Sequence, residues 1–219
     1  MVEFNYYMAL SKTCVVVMAG LPASGKSTLS RLLSAELHGV VLDKDVIRAG
    51  LFPEPWIEYS QEQDDFCLDI LLQAATYLIK KDTRPAFLFI DGRPFAFQYQ
   101  IENVVKWATS LGCGIKIIHT MCSDDNARRR LTDPHPARNR NYDSYLKLKA
   151  DFEEISYPKL AVNTDGPLNS SLQQCLSYLS REPSQYRPII IIGRDVSGFC
   201  FSIPYFANSF RSIVSLMIL

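Results

Sequence analysis

Short apolar runs alternate with longer segments of helical period along most of this chain. Cys14 to Ala19 is a compact, valine-rich run that ends at Gly20 and reads as a buried strand. Leu29, Leu32, Leu33 and Leu37 then recur at helical spacing and make one apolar face. Val40-Val41-Leu42 is a second strand, and a longer helix follows it with Cys67, Ile70, Leu71, Ala74 and Leu78 on one side. Ala86 to Ile90 is a third strand, ending at Asp91-Gly92. Ile101, Val104, Val105, Ala108 and Leu111 form the next helical stripe. Gly114 to His119 is a fourth strand, and Lys159 to Val162 is a fifth, cut short by Asn163-Thr164-Asp165-Gly166. Leu172, Cys175, Leu176 and Leu179 close the series as a final helix. Strands alternating with helices of this length predict an α/β fold of three layers, α/β/α, around a five-stranded parallel sheet. Right-handed crossovers then bring the C-terminal ends of the strands, and any ligand, to one edge.

The pattern breaks near Arg181. Residues 1–180 read as one domain and residues 181–219 as an apolar C-terminal extension. Ile189 to Ile192 suits an extra strand, and Val196 to Leu219 is apolar and aromatic, interrupted by Gly198, Pro204 and Arg211. Its longest uncharged run is shorter than the ~20 residues that span a bilayer. Its role stays open between a subunit contact, part of a further domain and sequence from an altered reading frame.

Composition narrows the picture in three ways. Lysine plus arginine and aspartate plus glutamate balance at 23 each, so no global field draws the chain to nucleic acid or an anionic membrane. The six cysteines form no Cys-x-x-Cys pair and fit free thiols in a reducing compartment better than a disulfide or zinc framework. The N-terminus has no basic stretch leading into an apolar core, so the expected location is cytoplasmic. The histidines, His38, His119 and His135, make no metal or triad pattern.

The chemistry is concentrated in Gly20-Leu21-Pro22-Ala23-Ser24-Gly25-Lys26-Ser27, followed by Thr28, which matches G-x-x-x-x-G-K-[ST]. Glycines let the backbone approach phosphate, and successive N–H groups make an anion nest backed by the positive end of the helix that opens at Lys26. Lys26 is expected to reach the β- and γ-phosphates of ATP, and the Ser27 hydroxyl to coordinate Mg²⁺. The motif follows a buried strand and precedes an amphipathic helix, which is the context its mechanism requires. Asp91 ends an apolar strand, where a carboxylate supports Mg²⁺ through water. Gly92 follows it, in a place where ATP-hydrolysing machines usually carry a glutamate that activates water. That choice favours transfer to an organic hydroxyl.

The cradle, the stretch Leu42-Asp43-Lys44-Asp45-Val46-Ile47-Arg48, the strand ending in Asp91 and the arginine-rich segment near residue 130 together resemble the small P-loop kinases. The likeness is nearest to the predicted kinases grouped with zeta toxins and polynucleotide 5′-kinases, often labelled AAA-family ATP-binding proteins. It covers roughly Cys14 to Leu179. It implies a P-loop NTPase fold of the nucleoside-kinase type. It also implies that Asp45 accepts the proton of the acceptor hydroxyl, with Asp43 as the rival base, and that Arg48 binds an anionic group of the acceptor. A helical i, i+3 spacing puts Asp45 and Arg48 on one face, although an ordinary helix-start ion pair has the same spacing. The segment from about residue 124 to 142, with Arg128, Arg129, Arg130, Arg138 and Arg140 around Pro134-His135-Pro136, corresponds to a lid. Guanidinium groups there stabilise charge on the transferring phosphoryl group, and Arg130 and Arg138 are the candidates for that role. Asn163 to Gly166 sits where related kinases hold the adenine edge, and it does not spell the Asn-Lys-x-Asp guanine reader, so ATP is expected over GTP.

The expectation is therefore a Mg²⁺-dependent kinase that moves the γ-phosphoryl group of ATP to a hydroxyl of a small metabolite or nucleotide. A polynucleotide 5′-kinase is the nearest enzymatic alternative and would need a basic channel for the strand. A non-catalytic ATP-binding regulator is the other, but it has no need of Asp45, Arg48 and the lid arginines together. The oligomeric state is not written in these motifs.

Overall fold

Strands β1 (Cys14–Ala19), β2 (Val40–Asp43), β3 (Phe87–Asp91), β4 (Gly114–Met121) and β5 (Leu160–Asn163) pair in parallel in the order β2-β3-β1-β4-β5. The computed structural model describes residues 12–133, 140–181, 189–194 and 200–205, the last two spans as strands alone. The central strand β1 lies between β3 and β4, with Val17 level with Ile90 on one side and Ile117 on the other. All six of its residues are buried, which is why it reads as a continuous apolar run rather than an alternating one.

Seven helices connect and cover these strands: α1 (Lys26–Glu36), α2 (Lys44–Leu51), α3 (Gln61–Ile79), α4 (Gln98–Ser110), α5 (Asp124–Leu131), α6 (Tyr142–Asp151) and α7 (Leu168–Ser180). Cys14, Val16 and Met18 point to one face of the sheet. There they join Leu29, Leu33 and Leu37 from and just after α1, Phe87, Phe89, Ile118 and Val162 from the sheet, and Cys175 and Leu179 from α7. Val15 and Val17 alternate to the other face, where α3 and α4 pack. The three-layer α/β/α fold expected from the strand–helix alternation is the fold observed.

Two elements differ in detail from the sequence pattern. The buried stripe of α3 is Cys67, Leu68, Leu71, Leu72 and Ala75, while Ile70, Ala74 and Leu78 are only half-buried. The helix is rotated so that Leu68 and Leu72 enter the core. The stretch read as a lid holds α5 and ends where α6 begins, two helices whose charged turns carry no apolar stripe to announce them. Their starts are capped instead, by the Ser123 and Asn141 side chains.

One charge inside the sheet has a structural cause. Lys116 of β4 is buried and donates from Nζ to the carbonyls of Tyr178 (2.6 Å), Leu179 (3.3 Å) and Arg181 (2.5 Å). It supplies a cation to the carbonyl end of α7, where the helix dipole is negative.

The chain divides into two compact units, Met1–Pro183 and Ser184–Leu219. In the second, β6 (Ile189–Arg194) pairs antiparallel with β7 (Cys200–Tyr205), so the run expected to form one strand forms half of a two-stranded sheet. Among the described residues, no helix is long and apolar enough to cross a membrane. Cys14, Cys67, Cys113, Cys122 and Cys175 are free thiols.

Candidate active site

β1 delivers the chain to Gly20 at the edge where the strand ends collect, and the loop from there to Gly25 turns back into α1. Gly20 (φ 138°), Ala23 (φ 64°) and Gly25 (φ 92°) all take positive φ. A Cβ on Gly20 would stand 2.3 Å from the Thr120 carbonyl oxygen and 2.8 Å from Ser24 Oγ, so only glycine fits. Ser24 Oγ and Thr120 Oγ1 share a hydrogen bond of 2.7 Å, and Thr164 Oγ1 lies 3.0 Å from the Ser24 carbonyl, which it joins as donor. The loop is thus pinned from β4 and from the loop after β5. Lys26 is buried in the first turn of α1, and its Nζ donates to the Gly20 and Leu21 carbonyls, both at 2.8 Å. Burial pushes its pKa down to about 8, against the opposing pull of Asp91 and Asp45, with Arg140 adding to the depression. Ser27 is half-buried beside it and Thr28 is exposed.

The residues that would hold Mg²⁺ lie next to this loop. Asp91 is buried at the end of β3 and accepts from Ser30 Oγ (2.7 Å) and the Gly92 N–H (2.8 Å). Its neighbour across the β2–β3 ladder is Asp43. Burial, then the Asp91 charge, raises the Asp43 pKa. Asp43 Oδ1 also accepts from the Asp45 N–H (2.8 Å) and so caps α2. The two candidate bases are therefore not equivalent. Asp43 is occupied with the helix start, whereas the Asp45 side chain, in the first turn, is 39% exposed.

Gly92 has a steric role as well as the chemical one read from sequence. It takes φ 83°, and a Cβ there would lie 2.3 Å from Asp43 Oδ1 and 2.6 Å from the Lys44 nitrogen. The start of α2 sits where a glutamate side chain would begin. Gly92→Ala is accordingly expected to lower stability by about 1–3 kcal/mol, from the left-handed backbone alone. Urea unfolding measures this directly, and a parent-like midpoint would mean that neither the left-handed backbone nor the approach of α2 constrains this position.

On the side expected to meet the acceptor, Asp45 Oδ1 accepts from Arg48 Nη1 (2.9 Å) and lies 3.1 Å from Lys44 Nζ. Lys44 Nζ also donates to Asp64 Oδ1 of α3 (2.7 Å), which Arg48 Nη2 contacts too. The Tyr59 ring lies 5.0 Å from the Arg48 guanidinium carbon. Beside this network Arg93 Nη1 pairs with Asp65 Oδ1 (2.6 Å), and Tyr99 OH donates to Asp65 Oδ2 (3.3 Å). Lys44, Asp64, Asp65 and Arg93 were not singled out from sequence. Arg93 carried the one available signal, an arginine directly after Asp91-Gly92 at a strand end.

Arg130, expected over the phosphates, donates to the Ala23 carbonyl (3.1 Å), to Thr164 Oγ1 (2.9 Å) and to the Thr164 carbonyl (2.6 Å). It ties the phosphate loop to the loop after β5. Arg129 bonds Asn126 Oδ1, and Arg128 stacks 4.4 Å from the Tyr142 ring. Arg140 is the arginine whose charge is felt at Lys26. Arg138 and His135 lie outside the described residues. Asp165 accepts from the Ser123 N–H and hydroxyl and from Asn126 Nδ2, and these bonds hold its carboxyl below the usual range. It is committed to the start of α5. His119 stacks on Phe152 at 5.3 Å, and its pKa is lowered chiefly by burial.

Comparison with known proteins gives a consistent set. The model of the family AAA_33, an AAA domain, matches residues 15–151. A protein of Halalkalibacterium halodurans named "Probable adenylyl-sulfate kinase" is 26% identical over 183 residues, which are 79% of this chain and 86% of that one. The APS kinase of Mycobacterium tuberculosis, solved with AMPPNP and APS, superposes with a TM-score of 0.59 at 20% identity, covering 78% of this chain and 99% of its own. A gluconokinase from Sinorhizobium meliloti gives a TM-score of 0.56 at 15% identity, covering 78% and 94%. At these identities the solved structures speak for the fold.

Proposed function

This chain belongs to the AAA_33 family of AAA-domain proteins, and from that membership we propose that it is a kinase transferring the γ-phosphoryl group of ATP to a hydroxyl of a small metabolite. Its relatives in sequence and fold include kinases, which supports a phosphotransferase of the P-loop type. The observation that carries the reading is the meeting of cradle and base. Ser30, one turn beyond Lys26, bonds Asp91, and Asp91 lies level with Asp43, which caps the helix that carries Asp45, so Lys26, Asp91 and Asp45 stand at one sheet edge.

In this reading the N–H groups of residues 20–28 hold the phosphates, and Lys26 turns from the Gly20 and Leu21 carbonyls to the β- and γ-phosphate oxygens. Ser27 and, through water, Asp91 would hold Mg²⁺, which neutralises charge on the β- and γ-phosphate oxygens. Asp45 orients the acceptor hydroxyl in line with the γ-phosphorus and takes its proton. Arg48 and Lys44 fix the Asp45 carboxylate from below, so Arg48 acts as a positioning residue. Arg140 adds positive charge near the transferred group. Arg130 braces the loops that flank the nucleotide. Asp165, tied to α5, is not free to read a guanine.

A proton-linkage experiment tests the phosphate side of this account. The depressed Lys26 pKa means that the free site loses its proton as pH rises through about 8. Triphosphate bound beside it restores the ordinary value, so ATP binding at pH 9 takes up most of one proton, and binding at pH 6.5 takes up none at this group. Calorimetry in two buffers of different ionisation enthalpy reads the uptake. Lys26→Arg, whose guanidinium stays charged, removes it. Mg-ATP binding with no uptake at pH 9 would place Lys26 away from the phosphates.

A further inference from the structure

A trans peptide points its C=O and its N–H in opposite directions, so an N–H that faces an anion puts its carbonyl on the outer side of the loop. Such a carbonyl needs a donor there. In the phosphate loop the Gly20 and Leu21 carbonyls take theirs from Lys26 Nζ, both at 2.8 Å. Ala23 and Ser24 are served from outside the loop. The Ser24 carbonyl accepts from Thr164 Oγ1 (3.0 Å), so the N–H of the same peptide, that of Gly25, is turned into the cradle. One peptide earlier, the Ala23 carbonyl accepts from Arg130 Nη1 (3.1 Å), while the Ser24 N–H closes the turn on the Leu21 carbonyl (3.2 Å). The first bond of the α1 ladder runs from the Leu29 N–H to the Gly25 carbonyl (3.0 Å), so Ala23 and Ser24 stand ahead of that ladder. Ala23 moreover holds a side chain at φ 64°, a backbone state that persists in a non-glycine residue where its surroundings fix it.

From this arrangement we propose that Thr164 is a positioning residue of the phosphate site, acting with Arg130 as one brace that keeps the Gly25 N–H aimed at the anion. The proposal rests on the reading of residues 20–28 as a phosphate cradle. Thr164 is itself held on every side. It is buried, its N–H donates to the Met121 carbonyl (2.8 Å), and its carbonyl accepts from Arg130 Nη2 (2.6 Å). Its hydroxyl accepts from Arg130 Nη1 (2.9 Å) and gives its own proton to Ser24, with the Met121 carbonyl a longer 3.2 Å away. Its methyl carbon stands 3.3 Å from the point where a Cβ on Gly25 would lie, so the side chain is seated against the loop. When Lys26 turns to the phosphates it leaves the Gly20 and Leu21 carbonyls, whereas Thr164 and Arg130 have no such second task at Ser24 and Ala23. They are the part of the outer frame that stays in place with nucleotide bound. The Thr164 side chain therefore serves the phosphates, whatever base they carry, although its loop sits where the sequence placed the adenine edge.

The test measures Kd by calorimetry on the purified full chain for ATP, GTP and inorganic tripolyphosphate, each with Mg²⁺, at a temperature where every variant is folded. Thr164→Val keeps the shape of the side chain and removes the hydroxyl. It is expected to raise all three Kd values by a common factor of about ten, the loss typical of a buried carbonyl deprived of its donor. Thr164→Ser keeps the hydroxyl and is expected to stay within about three-fold of the parent, since only the methyl contact is lost. Thr164→Ala carries the same expectation as Thr164→Val and replaces it should that variant not fold. Adding Arg130→Ala to Thr164→Val is expected to cost less than the product of the two single losses, because both act on one brace. A loss confined to ATP, with tripolyphosphate bound as by the parent, would make Thr164 a reader of the base and overturn the proposal. Parental Kd values for all three ligands in Thr164→Val would overturn it too, as would a serine variant as weak as the valine one. Failure of the cradle reading looks different, because the parent itself would then bind none of the three.

Discussion

Asp45→Asn lowers phosphoryl transfer by about 10²–10⁴-fold while leaving the affinity for Mg-ATP close to the parent's. The substitution keeps the shape of the side chain and one acceptor oxygen, and Arg48 Nη1 and Lys44 Nζ still have an oxygen to meet. It removes the carboxylate that takes the proton. Because Asp43 Oδ1 is engaged in capping α2, it is not placed to take over. The two aspartates thus separate cleanly. Asp43→Asn leaves the side-chain oxygen that accepts from the Asp45 N–H, so it is expected to cost less activity than the same change at Asp45. Transfer kinetics of both variants beside the parent decide the matter, and parental kcat in Asp45→Asn would remove the base from this position.

Lys26→Ala is expected to cost at least 10²–10³-fold in transfer, as the loss of a donor aimed at developing charge does, and to weaken ATP binding as well. The informative companion is stability without nucleotide. The Lys26 pKa lies below its ordinary value, so the charged form is disfavoured in the fold at neutral pH. That cost is present below about pH 8 and disappears as pH rises toward the unfolded value near 10.5. Removing the ammonium therefore relieves a buried charge, and the nucleotide-free variant should unfold no earlier than the parent at pH 7. A variant that is inactive and also much less stable would assign Lys26 to holding the loop through the Gly20 and Leu21 carbonyls.

The sheet was legible because each of its strands is an apolar run bounded by glycine, aspartate or asparagine, and β1 matches its expected span residue for residue. The phosphate loop was legible because its spacing is local: its motif lies within nine residues, although Thr120, Arg130 and Thr164 pin it from elsewhere. Around Asp45 and Arg48, whose i, i+3 pair was legible, the rest of the network was not, because its pairs are made between elements. Arg48 meets Asp64 from another helix, and Arg93 at a strand end meets Asp65. Nothing near Asp64 or Asp65 in the chain distinguishes them from ordinary carboxylates in the first turn of a helix. The arginines of α5 posed the same difficulty. Arg128, Arg129 and Arg130 are alike in sequence, and only the fold turns Arg130 to the Ala23 and Thr164 carbonyls. Arg140, ten residues on, is the one whose charge reaches Lys26.

The central claim is that ATP bound at residues 20–28 gives its γ-phosphoryl group to an organic hydroxyl poised at Asp45. The measurement that bears on it most directly follows the label from γ-labelled Mg-ATP into product, with the parent and Asp45→Asn side by side. The account predicts that the label appears in a phosphate ester of the hydroxyl compound, stoichiometric with ADP, and that Asp45→Asn removes it. Label found in inorganic phosphate alone, or ester formation unchanged in Asp45→Asn, would contradict it.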